Sequence, residues 1–313
     1  MAHDLSIVIV SWNVKGLLRA CLRSTLEGQQ SVASPGLACE VIVVDNASTD
    51  GSADMVRQEF PTVRLMANAD NVGFTRGNNQ GIIASDGRYA LLLNPDTEVL
   101  DGALGEMVDY MEHASEVGAL GPQLLYPDGR VQSSRRRFPD LRTALVESTF
   151  LQRWFSGSDV LKQYYVLDRR DDEVQEVDWL VGACLMMRRA ALDQVGLLDE
   201  RFFMYSEELD WCYRAKKKGW KIVYLPTARV IHHEGKSSEQ VLPVRHTNFQ
   251  RSKVLFFEKH HGRVQGELLR VYLLAIYLWQ TVLEGCKWLV GHKRPLRRER
   301  VATYWRVLRS GLR

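Results

Sequence analysis

The sequence predicts an α/β protein with a doubly wound, mostly parallel sheet. Along the first hundred residues, short β-branched runs alternate with segments of helical period. Such runs suit strands that are buried on both faces. Turn-forming residues such as Asn94, Pro95 and Asp96 end the runs. A regular β-α-β alternation places helices on both faces of a parallel sheet.

The first half of the chain carries this alternation without interruption. The predicted elements are, in order, a strand over Ser6–Ser11, a helix over Lys15–Glu27, a strand over Glu40–Asp45, a helix over Ser52–Phe60, a strand over Val63–Met66, a Gly/Asn-rich turn and helix from Asn71 to Ile83, and a strand over Tyr89–Leu93. Glycines recur every fourth residue from Gly73 to Gly81, which predicts close packing of one face of that helix.

The alternation fades in the second half. The predicted elements there are a helix over Leu104–His113, a strand over Gly118–Leu125, a strand over Val177–Arg188 broken at Gly182 and Ala183, a helix over Glu207–Lys218, and a strand over Lys221–Leu225 that ends before Pro226. From residue 241 the pattern is helical. We divide the chain into a catalytic domain over 1–240, with halves at 1–100 and 101–240, and a helical region over 241–313.

The basic residues are concentrated at the C-terminus. The chain has 41 Lys and Arg against 38 Asp and Glu, and eight bases with one acid lie between Gly291 and Arg313. Before them, Leu268–Val290 is apolar but contains three charges, so it falls short of a membrane-spanning helix. We expect this region to form an amphipathic helix that binds an anionic membrane surface, and we do not expect it to bind nucleic acid. The alternative is a helical hairpin packed on the catalytic domain or on a second copy in a homo-oligomer.

The cysteines and the N-terminus indicate the compartment. The five cysteines form no CxxC pair and are odd in number, which favours a reducing environment. The first residues show no signal-peptide pattern. We therefore expect a cytoplasmic protein, peripheral on the inner face of the cell membrane.

The turn after the first strand excludes two classes of nucleotide site. The chain contains no GxxxxGK[ST] loop, and Ser11, Trp12 and Asn13 stand where a dinucleotide-binding domain needs GxGxxG. Trp12 and Asn13 would block the approach of a pyrophosphate, but they suit the floor and edge of a base pocket. The alternative for Trp12 is a structural core residue.

Two carboxylates follow strands of the predicted sheet. Asp45 ends the second strand and can accept a hydrogen bond from a base imide, while Asp96 follows the fourth and can hold a divalent cation against a phosphate. The alternative for Asp96 is an ordinary turn. Asn46 and Ser48 can contact a nucleotide or cap the next helix. Arg76 can reach a diphosphate or lie on the surface.

A second group of candidates lies after residue 200. Glu207, Glu208 and Asp210 begin a helix, where acids complement the helix dipole. In apolar surroundings the same carboxylates have a raised pKa and suit a general base. His232 follows the last predicted strand and can complete a metal site with Asp96, or serve the structure alone.

Taken together, these residues resemble the inverting glycosyltransferases of family 2, which have a GT-A fold, and among them the rhamnosyltransferase-like enzymes of bacterial surface polysaccharide synthesis. The resemblance covers roughly residues 4 to 240. The matching motifs are Ser6–Asn13, Val43–Ser52, Asn71–Asn79, Leu92–Asp96, Gly182–Ala183, Glu207–Asp210 and His232–Ser237.

The resemblance implies roles for these residues. Trp12, Asn13 and Asp45 would hold the nucleobase and ribose, Asp96 and His232 would bind Mg²⁺ or Mn²⁺, and Glu208 would be the catalytic base. Where the family pattern has Glu-Asp, this chain has Glu207-Glu208, which leaves Glu207 and Asp210 as alternative bases. Asn94 replaces the first Asp of the metal motif, so a single carboxylate binds the ion. The remaining candidates for donor contacts are Ser11, Asn46, Ser48, Arg76, Asn79 and Asn94.

The resemblance also implies a reaction. The enzyme would move a sugar, rhamnose in the closest branch, from a dTDP- or UDP-sugar to a hydroxyl of a glycan or polyprenyl-diphosphate-linked acceptor. Residues 1–100 would bind the nucleotide sugar and residues 101–240 the acceptor. Two alternatives remain. A sugar nucleotidyltransferase would need a Gly-rich phosphate loop after the first strand, and a non-catalytic membrane-bound scaffold would keep the fold alone.

Overall fold

The protein is described by a computed structural model that covers residues 3–29, 36–234, 242–291 and 293–313. It comprises two compact units. The sheet unit contains Met1–Phe138, Tyr165–Phe203 and Glu207–Ser237, and the helical unit contains Pro139–Tyr164, Met204–Ser206 and Ser238–Arg313. The segment 139–164, which the sequence division placed in the catalytic domain, therefore groups with the C-terminal helices. The division at residue 240 itself stays a prediction.

The sheet unit is built on one mixed sheet. Its strands, with a short separate ribbon, are β1 Leu5–Ser11, β2 Cys39–Asp45, β3 Arg64–Ala67, β4 Tyr89–Leu93, β5 Thr97–Val99, β6 Val117–Leu125, β7 Arg135–Arg136, β8 Gln175–Val177, β9 Trp179–Leu180, β10 Cys184–Arg188 and β11 Lys221–His232. The order is β3-β2-β1-β4-β10-β6-β11-β5, with β8 paired to β11, and β7 pairs with β9 apart from it. The first four strands run parallel, and β6 is parallel to β11, while β10 is antiparallel to both of its neighbours.

Helices flank this sheet or form the helical unit. They are α1 Lys15–Gln29, α2 Ser52–Glu59, α3 Phe74–Ala84, α4 Ala103–His113, α5 Leu141–Val146, α6 Asp159–Tyr164, α7 Arg189–Val195, α8 Glu207–Lys217, α9 Leu242–His261, α10 Arg263–Leu289 and α11 Arg294–Ser310. The predicted α/β fold, with a mostly parallel sheet, flanking helices and a C-terminal helical extension, is confirmed.

The strands lie where the hydrophobic pattern predicts them. All seven residues of β1 and all five of β4 are buried, as expected for strands covered on both faces. Side chains from β1, α1 and α4 meet in one core cluster, which includes Ile7, Leu22 and Met107. The hydrophobic effect of this burial holds the parallel strands in register, so that their carboxyl ends share one edge.

Close packing of α3 on β1 depends on glycine, as the spacing predicts. A Cβ atom added to Gly81 would lie 2.2 Å from the Val8 Cγ1 atom, and one added to Gly77 would lie 2.9 Å from the Val10 Cγ1 atom. Any side chain there would push the helix off the sheet. The start of α3 beside the carboxyl edge of the sheet is thereby fixed in position.

Strand β11 is longer than the sequence predicts. It continues past Pro226 to His232, with a register shift between Leu225 and Arg229 in its pairing with β6. The prediction that it ends at Leu225 was wrong, because a bulge accommodates the residue that lacks an N–H. The extension pairs His232 with Thr97 of β5. The predicted strand over Val177–Arg188 is likewise divided, with its last part beginning after Gly182 and Ala183.

The helical unit packs α10 against α9, α11 and α5. Its buried side chains include Phe256, Phe257, Leu269, Leu273 and Val307. Within the helices that the structure describes, none combines the length and the hydropathy needed to cross a membrane.

Candidate active site

Ser11 and Asp45 lie side by side at the carboxyl edge of the parallel strands. They are paired in register as the last residues of β1 and β2. The hydroxyl oxygen of Ser11 and the Oδ1 atom of Asp45 are both buried, and neither has a hydrogen-bond partner in the described part of the chain. The other oxygen of Asp45, Oδ2, accepts a hydrogen bond from the Ser48 N–H at 2.9 Å. A buried, unpaired carboxylate oxygen is costly, so Asp45 is poised to accept from a ligand N–H or O–H.

Asn13 joins the loops that follow β1 and β2. Its backbone has a φ of 52°, in the left-handed region that Asn tolerates better than most residues. The Asn13 N–H donates to the Ser48 hydroxyl at 2.9 Å, and the Asn13 Oδ1 atom accepts from the Thr49 N–H at 2.7 Å. Trp12 beside it is half-buried. These contacts make a rigid corner next to Asp45 from the residues that the sequence assigned to a base pocket.

Other candidate donor ligands have contacts within the protein. Asn46 donates to the Gly73 carbonyl at 3.1 Å and accepts from the Asn68 amide at 2.9 Å. Asn79 donates to the Leu198 carbonyl and accepts from its N–H. Both side-chain amides thus connect separate segments of the sheet unit by hydrogen bonds.

Arg76 is exposed on α3. Its Nε atom lies 4.0 Å from a carboxylate oxygen of Glu200. This placement agrees with the surface alternative, and the structure does not bring Arg76 together with Asp45 or Asp96.

Asp96 and His232 form a buried pair. The Nε2 atom of His232 lies 3.5 Å from the Asp96 Oδ1 atom, and both side chains are more than nine-tenths buried. The neighbouring His233 N–H donates to the Asp96 carbonyl at 2.9 Å, so β11 and the turn after β4 are tied together. The contact between Asp96 and His232 could not be predicted from the strand pattern, because the predicted strand ended seven residues before His232.

Gln132 fixes the orientation of the His232 ring. The Gln132 Oε1 atom lies 2.8 Å from the Nδ1 atom of His232, and the Gln132 Nε2 atom donates to Glu234 at 3.0 Å. Because the amide N–H faces Glu234, its oxygen faces the imidazole and accepts from Nδ1–H. The Nε2 atom then faces Asp96, and in the neutral ring with its proton on Nδ1 it carries the lone pair that a metal-binding imidazole uses. Gln132 was not predicted from the sequence, because it lies in a polar segment that has no hydrophobic periodicity.

An imidazole nitrogen and a carboxylate oxygen are ligands that suit Mn²⁺ well and Mg²⁺ poorly. When a diphosphate adds its oxygen atoms, the combined ligands suit either ion. In the described ranges, the one cluster of three His, Asp or Glu side chains with ligand atoms within 4.8 Å is His3, Glu40 and Asp86. These residues flank the starts of β1, β2 and β4, at the opposite edge of the sheet. Within the described ranges, the structure therefore shows Asp96 and His232 as the paired ligand side chains at this edge.

The three acids at the start of α8 have different surroundings. Asp210 is fully buried and accepts from Arg214 Nε at 2.8 Å, and the same guanidinium donates to the carbonyls of Val195 and Leu197. This ion pair anchors α8 to the preceding loop. Burial, together with the charge of Glu208, raises the pKa of Glu207 well above its usual value.

Glu208 contacts the turn at Gly182. Its Oε1 atom accepts from the Gly182 N–H at 3.4 Å, and its Oε2 atom is buried. Burial raises the pKa of Glu208, against the opposing effect of backbone N–H groups. The next residue of the turn, Ala183, accepts from the Asn94 N–H at 2.9 Å. One turn therefore links the end of β4 to Glu208. The remaining motif residues Gly235, Lys236 and Ser237 lie outside the described residues.

The sequence matches a family model and several known proteins. A family model described as glycosyl transferase family 2 matches residues 6–196. An N-acetylglucosaminyl-diphospho-decaprenol L-rhamnosyltransferase of Mycobacterium tuberculosis is 32% identical over 249 residues, covering 75% of this chain and 80% of its own. The low-salt glycan biosynthesis hexosyltransferase Agl10 of Haloferax volcanii is 27% identical, covering 82% and 74%. The rhamnosyltransferase WbbL of Escherichia coli is 26% identical, covering 51% and 61%.

Solved structures show the same fold at lower identity. The mannosyltransferase PcManGT from Pyrobaculum calidifontis, in complex with GDP-Man and Mn²⁺, has a TM-score of 0.55 at 14% identity, covering 100% of this chain and 85% of its own. GalNAc-T7 with UDP, GalNAc and Mn²⁺ has a TM-score of 0.56 at 15% identity, covering 82% of this chain and 48% of its own. The predicted GT-A fold is confirmed. With the family match extending over most of the sheet unit, the chain belongs to glycosyl transferase family 2.

Proposed function

We propose that the chain is an inverting, metal-dependent rhamnosyltransferase that uses a dTDP- or UDP-sugar and a polyprenyl-diphosphate-linked acceptor. The observation that carries the proposal is the carboxyl edge of the sheet. There Asp45 has a buried oxygen without a partner among the described residues, Asp96 and His232 form a pair, and the turn at Gly182 links Glu208 to the end of β4. The name of the relative at 32% identity supports rhamnose and a lipid diphosphate acceptor.

Asp45 sets the type of nucleobase. Thymine and uracil both present an imide N–H, which the buried Oδ1 atom of Asp45 can accept. Trp12 and Asn13 lie on the adjoining loop, where an indole face supports a stacked base. The shared imide explains why both nucleotides fit this pocket.

Asp96 and His232 are the side chains that would hold Mg²⁺ or Mn²⁺. When bound, the ion neutralises charge on the departing nucleoside diphosphate. Gln132 holds the Nδ1 side of the His232 ring, so that the Nε2 atom faces Asp96. With Asn94 in place of a second carboxylate, Asp96 and His232 would be joined by the diphosphate and water as ligands of the ion.

Glu208 is the proposed base. It accepts the proton of the acceptor hydroxyl as that oxygen forms its bond to the anomeric carbon and the diphosphate leaves from the opposite face. The Gly182 N–H holds one carboxylate oxygen, and a raised pKa strengthens the other as a proton acceptor. Asp210 forms an ion pair with Arg214, so Glu207 is the alternative base.

The membrane contact is assigned to α11. Its exposed side chains include Arg294, Arg298, Arg306 and Arg309 with Trp305 among them. Basic residues attract anionic lipid headgroups at about 1 kcal/mol each, and tryptophan favours the interface. An anionic cytoplasmic face, where lipid-linked acceptors are presented, suits this surface.

The test is a product assay on the full-length chain. Purified protein is supplied with dTDP-rhamnose or a UDP-sugar, a short polyprenyl-diphospho-N-acetylglucosamine and Mn²⁺ or Mg²⁺. We expect release of one nucleoside diphosphate per glycosidic bond, with inverted anomeric configuration in the product. Retention of configuration, or release of inorganic pyrophosphate, would disprove the proposal, and the second result would point to a nucleotidyltransferase.

A further inference from the structure

Helix α10 carries an apolar stripe on its exposed side. The stripe consists of eight uncharged positions spaced alternately four and three residues apart, which are Val264, Leu268, Val271, Ala275, Leu278, Val282, Gly285 and Leu289. The six Val and Leu side chains among them are each between 53% and 74% exposed. Alternating four-three spacing averages 3.5 residues, which is the period of a coiled-coil seam.

The stripe is distinct from the face that packs within the helical unit. That inner face contains Leu269, Leu273, Ile276 and Tyr277, which are buried against neighbouring helices. The five charged residues of α10 all lie off the stripe. Trp279 and Leu283 flank the stripe and are also exposed, at 60% and 38%, while the four-three spacing of the stripe itself is the pattern that a facing helix requires.

We propose that a second copy of this chain covers the stripe, with the two α10 helices antiparallel about a two-fold axis between Ala275 and Leu278. This inference is independent of the proposed reaction. The layers of the pairing are Val264 with Leu289, Leu268 with Gly285, Val271 with Val282, and Ala275 with Leu278, each made twice. A single patch that meets itself is what two-fold symmetry demands.

The sizes of the stripe residues favour this direction and register. Each small residue faces a leucine of the other copy, since Ala275 meets Leu278 and Gly285 meets Leu268. A parallel, in-register pair would instead place Ala275 on Ala275 and Gly285 on Gly285. Those two layers would leave cavities, and cavities in a packed seam are destabilising. The antiparallel stripe is therefore complementary to itself.

The stripe is long enough for a stable dimer. A helix of 27 residues extends about 40 Å and is about 10–12 Å wide, so its face covers roughly 450 Å² per copy. Trp279, which is 60% exposed beside the stripe, and the exposed Cys286 widen the contact. The total over both copies reaches about 1,000 Å², the size that a specific interface needs.

The first test is the mass of the full chain in solution. Light scattering at micromolar concentration should give twice 35.8 kDa. Leu278→Glu should weaken the dimer by roughly 100-fold or more, because it buries two like charges in the central layers. Trp305→Glu on α11 is the matched control and should leave the mass unchanged. A monomeric wild-type protein, or a Leu278→Glu protein of unchanged mass, would overturn the proposal.

The second test reads direction and register. In a Cys286→Ser background, Leu268→Cys protein mixed with Gly285→Cys protein should form a disulfide-linked dimer under mild oxidation. Leu268→Cys protein alone should not form this disulfide, because the introduced sulfur atoms of the two copies would be about 25 Å apart. Efficient crosslinking of Leu268→Cys alone would show a parallel pair and refute this arrangement. A protein that is monomeric alone and whose α10 is protected only on vesicles would show that lipid covers the stripe instead.

Discussion

Three acids of the sheet unit differ in what their oxygen atoms contact. Asp210 is bound by Arg214, Glu208 receives a single N–H from Gly182, and Asp45 keeps one buried oxygen without a partner in the described residues. An acid that is held by a guanidinium gains stability and loses basicity. The geometry thus separates the anchoring acid from the acid that is suited to take a proton.

Glu208→Gln should lower turnover by about 10²–10⁴-fold while donor binding stays unchanged, because the amide keeps the acceptor for Gly182 and loses the base. It should also raise the melting temperature at neutral pH. The pKa of Glu208 is raised in the fold, so its contribution to stability is present below the unfolded pKa and lost as pH rises through the folded pKa.

Calorimetric donor binding, single-turnover rates and thermal melts check this expectation. In the wild type, the rate should fall as pH drops through the raised pKa, because the base is then protonated. The exposed Glu173→Gln is the control. Full activity of Glu208→Gln would transfer the role to Glu207.

Gln132→Leu should weaken Mn²⁺ binding by about 10–100-fold, because the imidazole of His232 then loses the acceptor that fixes its tautomer. Titration of Mn²⁺ by electron paramagnetic resonance in the presence of the nucleoside diphosphate measures this directly, without turnover. The exposed Gln58→Leu should bind as the wild type does. Equal affinities in all three proteins would remove Gln132 from the site.

Sequence reasoning reached some of these residues and not others. Asp45 and Asp96 could be predicted because each follows a strand with a clear local pattern. Gln132 could not, because its partner His232 is distant in sequence and meets it only through the pairing of β11 with β6. Asn46 and Asn79 remain candidates for donor contacts, and in the structure their amides also contact backbone groups of the sheet unit.

At the scale of elements, local patterns predicted β1 to β4 and α1 to α4 to within three residues. The extension of β11 past Pro226 was not predictable, since a local rule ends strands at proline and a bulge removes that constraint. The pairing of β11 with β6 and β5 determines where this strand ends. The helices of the C-terminal region were predicted, but the grouping of 139–164 with them depends on contacts between distant segments.

Gly81→Ala should destabilise the protein by about 1–3 kcal/mol, because the new methyl group overlaps Val8 and separates α3 from β1. Gly16→Ala in α1 is the matched control. A Cβ there meets nothing within 4 Å, so it should stabilise by about 0.5–1 kcal/mol. Denaturant unfolding of both variants measures the difference, and equal midpoints would contradict the close packing of α3.

At the scale of the whole molecule, charge is distributed unevenly. The bases of the last 23 residues give the chain its net charge of +3, and many lie on the exposed side of α11. A surface of this kind acts over about 8 Å at physiological ionic strength. Its attraction to anionic lipid should therefore depend on salt.

Arg298→Glu combined with Arg309→Glu should release the protein from vesicles that contain phosphatidylglycerol. Each basic residue near the surface contributes about 1 kcal/mol, and the substitution also reverses its charge. Sedimentation with vesicles at low and high salt checks this, with pure phosphatidylcholine vesicles as the neutral reference. Unchanged sedimentation of the double variant would exclude α11 as the membrane contact.

The unpartnered oxygen of Asp45 has a consequence for discrimination between nucleotides. A carboxylate facing the base edge attracts an imide N–H, but it repels the ring lone pair that cytosine presents at the same position. Under the proposed role, a cytidine donor would bury two acceptors against each other, which is far more costly than the loss of one hydrogen bond. The pocket would then exclude cytidine donors more by this repulsion than by any loss of affinity, whichever sugar they carry.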